Sequence, residues 1–426
     1  MRVTVNQNQR TLLRDGTHFF YLADTCWSAF TSIREEEWMT YLEKRKTQGF
    51  NTLQINILPQ WDRSRGTFDK LPFSKKNGVY DFKELDDSYF ERAKKLCKIA
   101  DDRGFTLALV VLWSNYVEGT WASNLDRRKN VFPREYFENY FKKVIDTFDS
   151  FSPIYFIAGD TDFPEKETID TYLEAFDYFE KHSPNTLKTV HIKGRQEEIP
   201  EEILRRLDLL LYQSGHNRSF LNMPYYLAEQ FYKMERKLPI VNSEPCYEQM
   251  GYARREYGRF KQLDVRQAAW QSVLSGACAG ITYGAHGVWS WHGMNTNFAE
   301  NTGEAFDTPM YWQEALQLPG AFDYGFIKGI LQMNQIDELI PNNQLLVGAN
   351  EQIRVASSKQ QKHHLIYIPS NTTIRVSADF SDFEIYLIDL KTKNLLEPTF
   401  VVKNGETIFK IHSGQEDVLL LVKKPS

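Results

Sequence analysis

The sequence predicts an α/β chain: a (β/α)8 barrel over residues 1–340, opened by a β-hairpin, followed by an antiparallel β-sandwich over residues 341–426. Three observations predict it. Short apolar runs bounded by Gly, Pro or Asn alternate with amphipathic segments eight times in the first part, which implies a parallel sheet with right-handed crossovers that can close on itself. Polar and aromatic residues follow these runs throughout the region. An open doubly wound sheet would gather them at one switch point, and no GxGxxG or GxxxxGK[ST] marks a nucleotide site. Beyond about residue 340 the helical period stops, and short strands recur about every ten residues, the spacing of a small sandwich.

In order, Val3 and Val5, a polar turn at Asn6 to Gln9 and the Asp15-Gly16 pair read as a hairpin capping one barrel end. Strand one is expected over Phe19 to Ala23, ending at Asp24 and Trp27. Its helix runs from Glu35 to Gln48, with an acidic first turn and Gly49 as the stop. Strand two, Thr52 to Leu58, leads into a loop with Gln60, Trp61, Asp62, Arg63 and Arg65, then a helix from Asp86 to Arg103. Strand three, Phe105 to Leu112, ends on Trp113, and its helix follows Pro133. Strand four, Ile154 to Ala158, carries Asp160 at its tip, with a helix start near Asp162 and Pro164. Strand five is Thr189 to Ile192 with His191, and strand six Leu209 to Gln213, leading to His216. Strand seven delivers Glu244, and the next helix covers Val265 to Ala277. Strand eight, Gly280 to Tyr283, runs into a loop with His286, Trp289 and Trp291.

Composition narrows the partners. With 51 basic and 56 acidic residues the formal charge is -5, so no chain-wide attraction to nucleic acid or to an anionic membrane exists. No apolar run reaches membrane-spanning length and no signal-peptide pattern opens the chain, which predicts a cytoplasmic protein. The four cysteines are widely spaced and free of any CxxC pairing, so neither a disulfide framework nor a metal site is expected, and no HxH pair in the barrel would hold a metal. No cofactor is expected.

Asp160 and Glu244 are the carboxylates on which apolar strands end. Two acids at barrel strand tips are the minimum equipment for splitting a glycosidic bond, one protonating the leaving oxygen and one attacking or stabilising the sugar cation. Each also has an ordinary reading, as a helix cap for Asp160 and an ion-pair partner for Glu244. If both face one pocket, Asp160 is the acid/base and Glu244 the nucleophile of a retaining enzyme. Around them, Asp24, Asn56, Gln60, His191, His216 and His286 are candidates to bind sugar hydroxyls. Trp27, Trp61, Trp113, Trp289 and Trp291 are candidates to stack on the sugar's C–H face, with core packing as the alternative for each. The partner is then an oligosaccharide or glycoside, and the competing reading is a catalytically silent carbohydrate-binding barrel.

The stretches DGTHFFYLADTCW (15–27), GFNTLQINILPQW (49–61), YFIAGD ending at Asp160, NSEPCYE around Glu244 and AGITYGAHGVWSW of the eighth unit together resemble the apiosidase-like glycoside hydrolases. The resemblance covers essentially the whole chain. It implies a barrel with a small C-terminal β domain, sometimes given a collagen-binding label. It also implies retaining, exo-acting removal of terminal apiose from a complex pectin, with the acid/base at Asp160 and the nucleophile at Glu244; another pentoside or a deoxysugar is the alternative substrate. The chain departs from the family at Ala158-Gly159-Asp160, where GGD is usual. It also lacks the Asn that broader retaining barrels place before the strand-four acid, so the contact to the 2-hydroxyl must come from elsewhere.

Overall fold

The structure, a computed structural model, describes residues 2–126, 130–298, 306–348 and 350–425. Eight parallel strands close into a barrel in chain order: Tyr21–Thr25, Thr52–Asn56, Thr106–Trp113, Ile154–Thr161, Leu187–Ile192, Leu210–Tyr212, Ile240–Asn242 and Gly280–Tyr283. Tyr21 pairs with Gly280, which joins strand one to strand eight and removes both edges. These strands are buried on both faces, against the barrel interior and the surrounding helices, which is why their sequences lack the apolar/polar alternation of a half-exposed sheet.

The first barrel helix, Glu35–Thr47, has three acids in its first turn and Lys44, Arg45 and Lys46 in its last, complementing its dipole, and Gly49 follows at φ 92°. Helices Asp87–Asp101, Phe137–Phe148, Lys166–His182, Met223–Tyr232, Gln262–Leu274 and Gly320–Met333 continue the outer layer. The helix after strand four begins four residues beyond Asp162, at Lys166, because the strand itself extends to Thr161. Asp162 instead accepts from the Trp121 backbone N–H at 3.0 Å and faces Lys193 at 3.4 Å.

The N-terminal segment has one strand more than a hairpin: Val3–Val5, Leu12–Arg14 and Thr17–Phe19 form a three-stranded meander. Arg14 donates to the Gly104 carbonyl at 3.0 Å and Arg10 to the Tyr232 carbonyl at 2.9 Å. Gly104 precedes strand three and Tyr232 closes the helix ahead of strand seven, so the meander lies at the barrel's N-terminal end.

After the barrel, a six-stranded antiparallel sheet orders as Leu339–Pro341, Arg354–Ser358, His363–Ile368, Val418–Lys423, Glu384–Asp389 and Leu395–Leu396. Its first strand straddles the boundary expected at residue 340. A second sheet orders as Thr373–Val376, Glu406–Lys410 and Phe400–Lys403. Val355, Ile366, Leu387 and Leu420 face Ile374 and Phe409 of the small sheet in one core. The alternate residues Ala356, Leu365, Ile388 and Leu421 join the barrel's core. Because both faces of the large sheet are covered, its strands read as continuous apolar runs.

Arg266 of helix Gln262–Leu274 fixes this interface. It is fully buried and reaches Asp417, just ahead of the interior strand Val418–Lys423, and Asp323 of helix Gly320–Met333, while the Tyr367 hydroxyl also donates to Asp417.

Candidate active site

The C-terminal ends of the strands open into a cavity of about 130 Å³ lined by both Asp160 and Glu244. Asp160 lies inside strand four, with φ 46°, within the second of two shifts in the register with strand five. Left-handed backbone is costly for most residues and least so for Asp and Asn, and an irregular strand end is a common means of re-aiming a side chain. The Trp121 indole donates to the Asp160 carbonyl at 2.6 Å and holds this turn. Gly159 is required beside it, since a Cβ there would lie 2.4 Å from the Trp113 ring and 2.7 Å from Val110.

The two acids have opposite surroundings. Burial pushes the Asp160 carboxyl well above the usual range, and the charges of Glu244 and Asp62 push the same way against Lys193. Burial also acts to raise Glu244, but hydrogen bonds and positive charge from His191 and His216 outweigh it and bring it down to about 2. His216 Nε2 lies 2.8 Å and Gln213 Nε2 3.1 Å from Glu244 Oε1, while His191 Nε2 lies 3.1 Å from Oε2. The surroundings of Asp160 thus favour its protonated form and those of Glu244 its ionised form, the division of labour glycosidic cleavage needs.

Beneath this pair the barrel interior carries a polar layer. Gln54 accepts from Tyr21 and Thr282 at 2.9 Å each and donates to the Ser243 carbonyl at 3.0 Å. Ser243 Oγ sits 2.7 Å from His191 Nδ1. Among the described residues no cluster of His, Cys, Asp and Glu suited to a metal ion is found, and all four cysteines are buried and unpaired.

Of the other candidates, Trp27, Gln60, Trp61, Trp113, His216 and Trp289 line the cavity. His191 is fully buried behind Glu244, enclosed by Trp27, Trp113 and Phe156 at ring distances of 5.6, 5.9 and 6.4 Å. Asn56 is buried behind Gln60 and donates to it, and Gln60 in turn donates to Asp62 at 2.7 Å.

Three candidates lie elsewhere. Asp24 alternates with the inward Tyr21, Ala23 and Thr25 and so points to the helix layer, where it accepts from Tyr41 at 2.6 Å and pairs with Arg45 at 2.7 Å. His286 sits under the cavity wall. Its Nδ1 accepts from the Trp289 indole at 3.1 Å, its Nε2 donates to the Asp307 carbonyl at 2.9 Å, and burial lowers its pKa to about 3. Trp291 turns away at φ 49°, stacks on Trp312 at 4.4 Å and donates to Glu37 at 3.1 Å.

The cavity also uses residues outside the candidate set. Asp62 and Trp121 come from long loops. Lys193, Arg195 and Gln213 follow the tips of strands five and six, a position that could have singled them out. Tyr247 accepts from the Trp27 indole at 3.0 Å, and Gly284 makes room for its ring, since a Cβ there would lie 2.0 Å from it. Arg63, from the loop after strand two, is buried and held by Asp69 and the Gln60 carbonyl.

The sequence profile of the apiosidase-like catalytic domain matches residues 6–338. No curated protein matches the chain. Among solved structures, one described as a glycoside hydrolase aligns with a TM-score of 0.80 at 20% identity, over 99% of this chain and 97% of its own. A family 5 glycoside hydrolase from Bacteroides vulgatus ATCC 8482 aligns with a TM-score of 0.81 at 19% identity, over 99% and 93%. At such identities these likenesses speak to the fold, barrel and appended sheet together, while the profile covers the whole barrel with both acids. The chain belongs to the apiosidase-like family and is a glycoside hydrolase.

Proposed function

We propose that this chain is a retaining, exo-acting glycosidase that removes a terminal sugar, apiose or a similar pentoside or deoxysugar, from a plant or other complex glycan. The observation that carries the reading is the pairing, in one cavity, of an acid whose burial favours its protonated form with an acid that two histidines favour as the anion. In this mechanism Asp160 gives its proton to the leaving oxygen while Glu244 attacks the anomeric carbon. Asp160, now a carboxylate, then takes a proton from the water that releases the sugar. His191, His216 and Gln213 hold Glu244 as the anion that attacks. Trp27, Trp61, Trp113 and Trp289 supply flat apolar faces for the ring. Among the described residues no helix is long and apolar enough to cross a membrane.

The test is hydrolysis of a panel of aryl glycosides, apiosides and other pentosides included, with the anomer of the first-formed sugar read by NMR. Retention is expected, with loss of about a thousandfold or more in kcat for Asp160→Asn and for Glu244→Gln. An inverted first product, or near-normal turnover by both variants, overturns the proposal.

A further inference from the structure

The cavity has two unlike sides. In barrel order, strands eight, one, two and three stand together, and their ends or the loops after them supply Trp289, Trp27, Trp61 and Trp113. Strands five, six and seven stand together across the mouth. Their wall includes Lys193, Arg195, Gly215 and Ala253 and, among the described residues, no tryptophan. A sugar ring held against the tryptophans leaves the rest of its glycan to pass over strands five to seven.

That second side continues outward. Gly215 lines both the cavity and a small hollow of about 30 Å³ that Phe220 and Leu221 also line. The Arg195 guanidinium, itself on the cavity wall, lies over the Phe220 ring at 5.0 Å. The loop after strand seven joins the same rim. The Ala253 N–H donates to the His216 carbonyl at 3.0 Å, Arg218 to the Tyr252 hydroxyl at 2.9 Å, and Ser219 Oγ to Glu256 at 3.4 Å. Phe220 follows one end of this last contact and Tyr257 the other, at the tip of a turn closed by the Tyr252 N–H on the Gly258 carbonyl at 3.1 Å. Phe220, Leu221 and Tyr257 are 36%, 45% and 102% exposed, so their apolar surface is open to an occupant.

Exposed aromatic side chains grouped at the rim of a cavity mark a contact surface. An aromatic ring takes the C–H face of a sugar, and a planar guanidinium donates to its hydroxyl oxygens. Three side chains on two loops are too small an apolar area for a stable protein interface, which needs twenty or so residues a side. They match a single sugar ring.

We propose that Arg195, Phe220, Leu221 and Tyr257 form a leaving-group platform, which binds the sugar from which the terminal unit is cut. This rests on the assignment of Asp160 and Glu244 as the catalytic pair, and it adds what lies beyond the bond they break.

The experiment compares two substrates that share the terminal sugar identified by the aryl glycoside panel. One is its glycosyl fluoride, whose leaving group has no ring, and the other a disaccharide carrying the same sugar at its non-reducing end. In Phe220→Ser and Tyr257→Ser, kcat/KM on the disaccharide is expected to fall about three- to tenfold for each ring removed, with the losses compounding in the double variant. Turnover of the fluoride should stay within about twofold, which also shows that the variants are folded. Equal losses on both substrates, or an unchanged rate on the disaccharide, overturn the platform. Tyr257→Ser alone, at a fully exposed side chain, gives the same reading if the double variant does not fold. If the wild type cleaves neither substrate, the glycosidase mechanism fails by itself. The platform is then read by saturation-transfer NMR with glucose, galactose, rhamnose and galacturonate. A signal that the double variant loses supports it, and a signal that persists there, or is absent from the wild type, overturns it.

Discussion

His191 Nε2 lies 3.1 Å from Glu244 Oε2, and the other nitrogen of the same buried ring lies 2.7 Å from Ser243 Oγ. The ring is thereby fixed at both ends, and one carboxylate oxygen of the proposed nucleophile is fixed with it. Replacing His191 by Phe keeps the aromatic packing and removes the donor. Glu244 should then rise from about 2 by about one to two pH units, the equivalent of one lost hydrogen bond to a charged group. Because the ionised form is the active one, the acid limb of kcat/KM against pH moves upward by that amount. An acid limb that stays in place would contradict the role given to His191.

The basic limb reports on Asp160. Burial first, then the charges of Glu244 and Asp62, hold its proton on, so activity falls as pH rises through this raised value. Asp62→Asn removes one of those charges and lowers the value. The basic limb should shift to lower pH by about half to one unit, with the acid limb unchanged. A shift in the other direction would show that Asp62 acts in some other way.

Asp24 is a structural anion, and its replacement should read as lost stability. Asp24→Ala leaves the fully buried Arg45 without its carboxylate, a change that costs about 3–5 kcal/mol. Urea unfolding should show that loss, while KM of the folded fraction stays at the wild-type value. A raised KM with unchanged stability would return Asp24 to the substrate site.

Arg266 joins barrel to sandwich through Asp417 and Asp323, both buried. Arg266→Met leaves the buried Asp417 with only the Tyr367 hydroxyl, while Asp323 keeps Lys393 and Gln262, and should destabilise the chain by about 3–5 kcal/mol. The double variant Arg266→Met/Asp417→Leu should recover part of this, since the stranded charge is gone and apolar groups fill the gap. Calorimetric melting of the three proteins checks the order; a double variant less stable than the single one would refute it.

The alternation of apolar runs and amphipathic segments was enough to name the barrel, and the change of period near residue 340 was enough to name the appended sheets. Both signals are local, because a strand buried on two faces and a helix buried on one differ in the order of their own residues. The same burial hid the direction of individual side chains. A strand covered on both sides has no polar face to set its parity, so Asp24 at the end of strand one read as a pocket residue although it points to Arg45. Asp160 and Glu244 were legible as carboxylates on apolar strand ends. Their roles were assigned from the sequence as well, but the groups that hold Glu244 as an anion were not, because His191 and His216 are 53 and 28 residues from Glu244 in the chain. Parallel pairing sets strands five, six and seven side by side and brings those rings to the carboxylate, and protonation depends on distances in space that spacing along the chain does not encode.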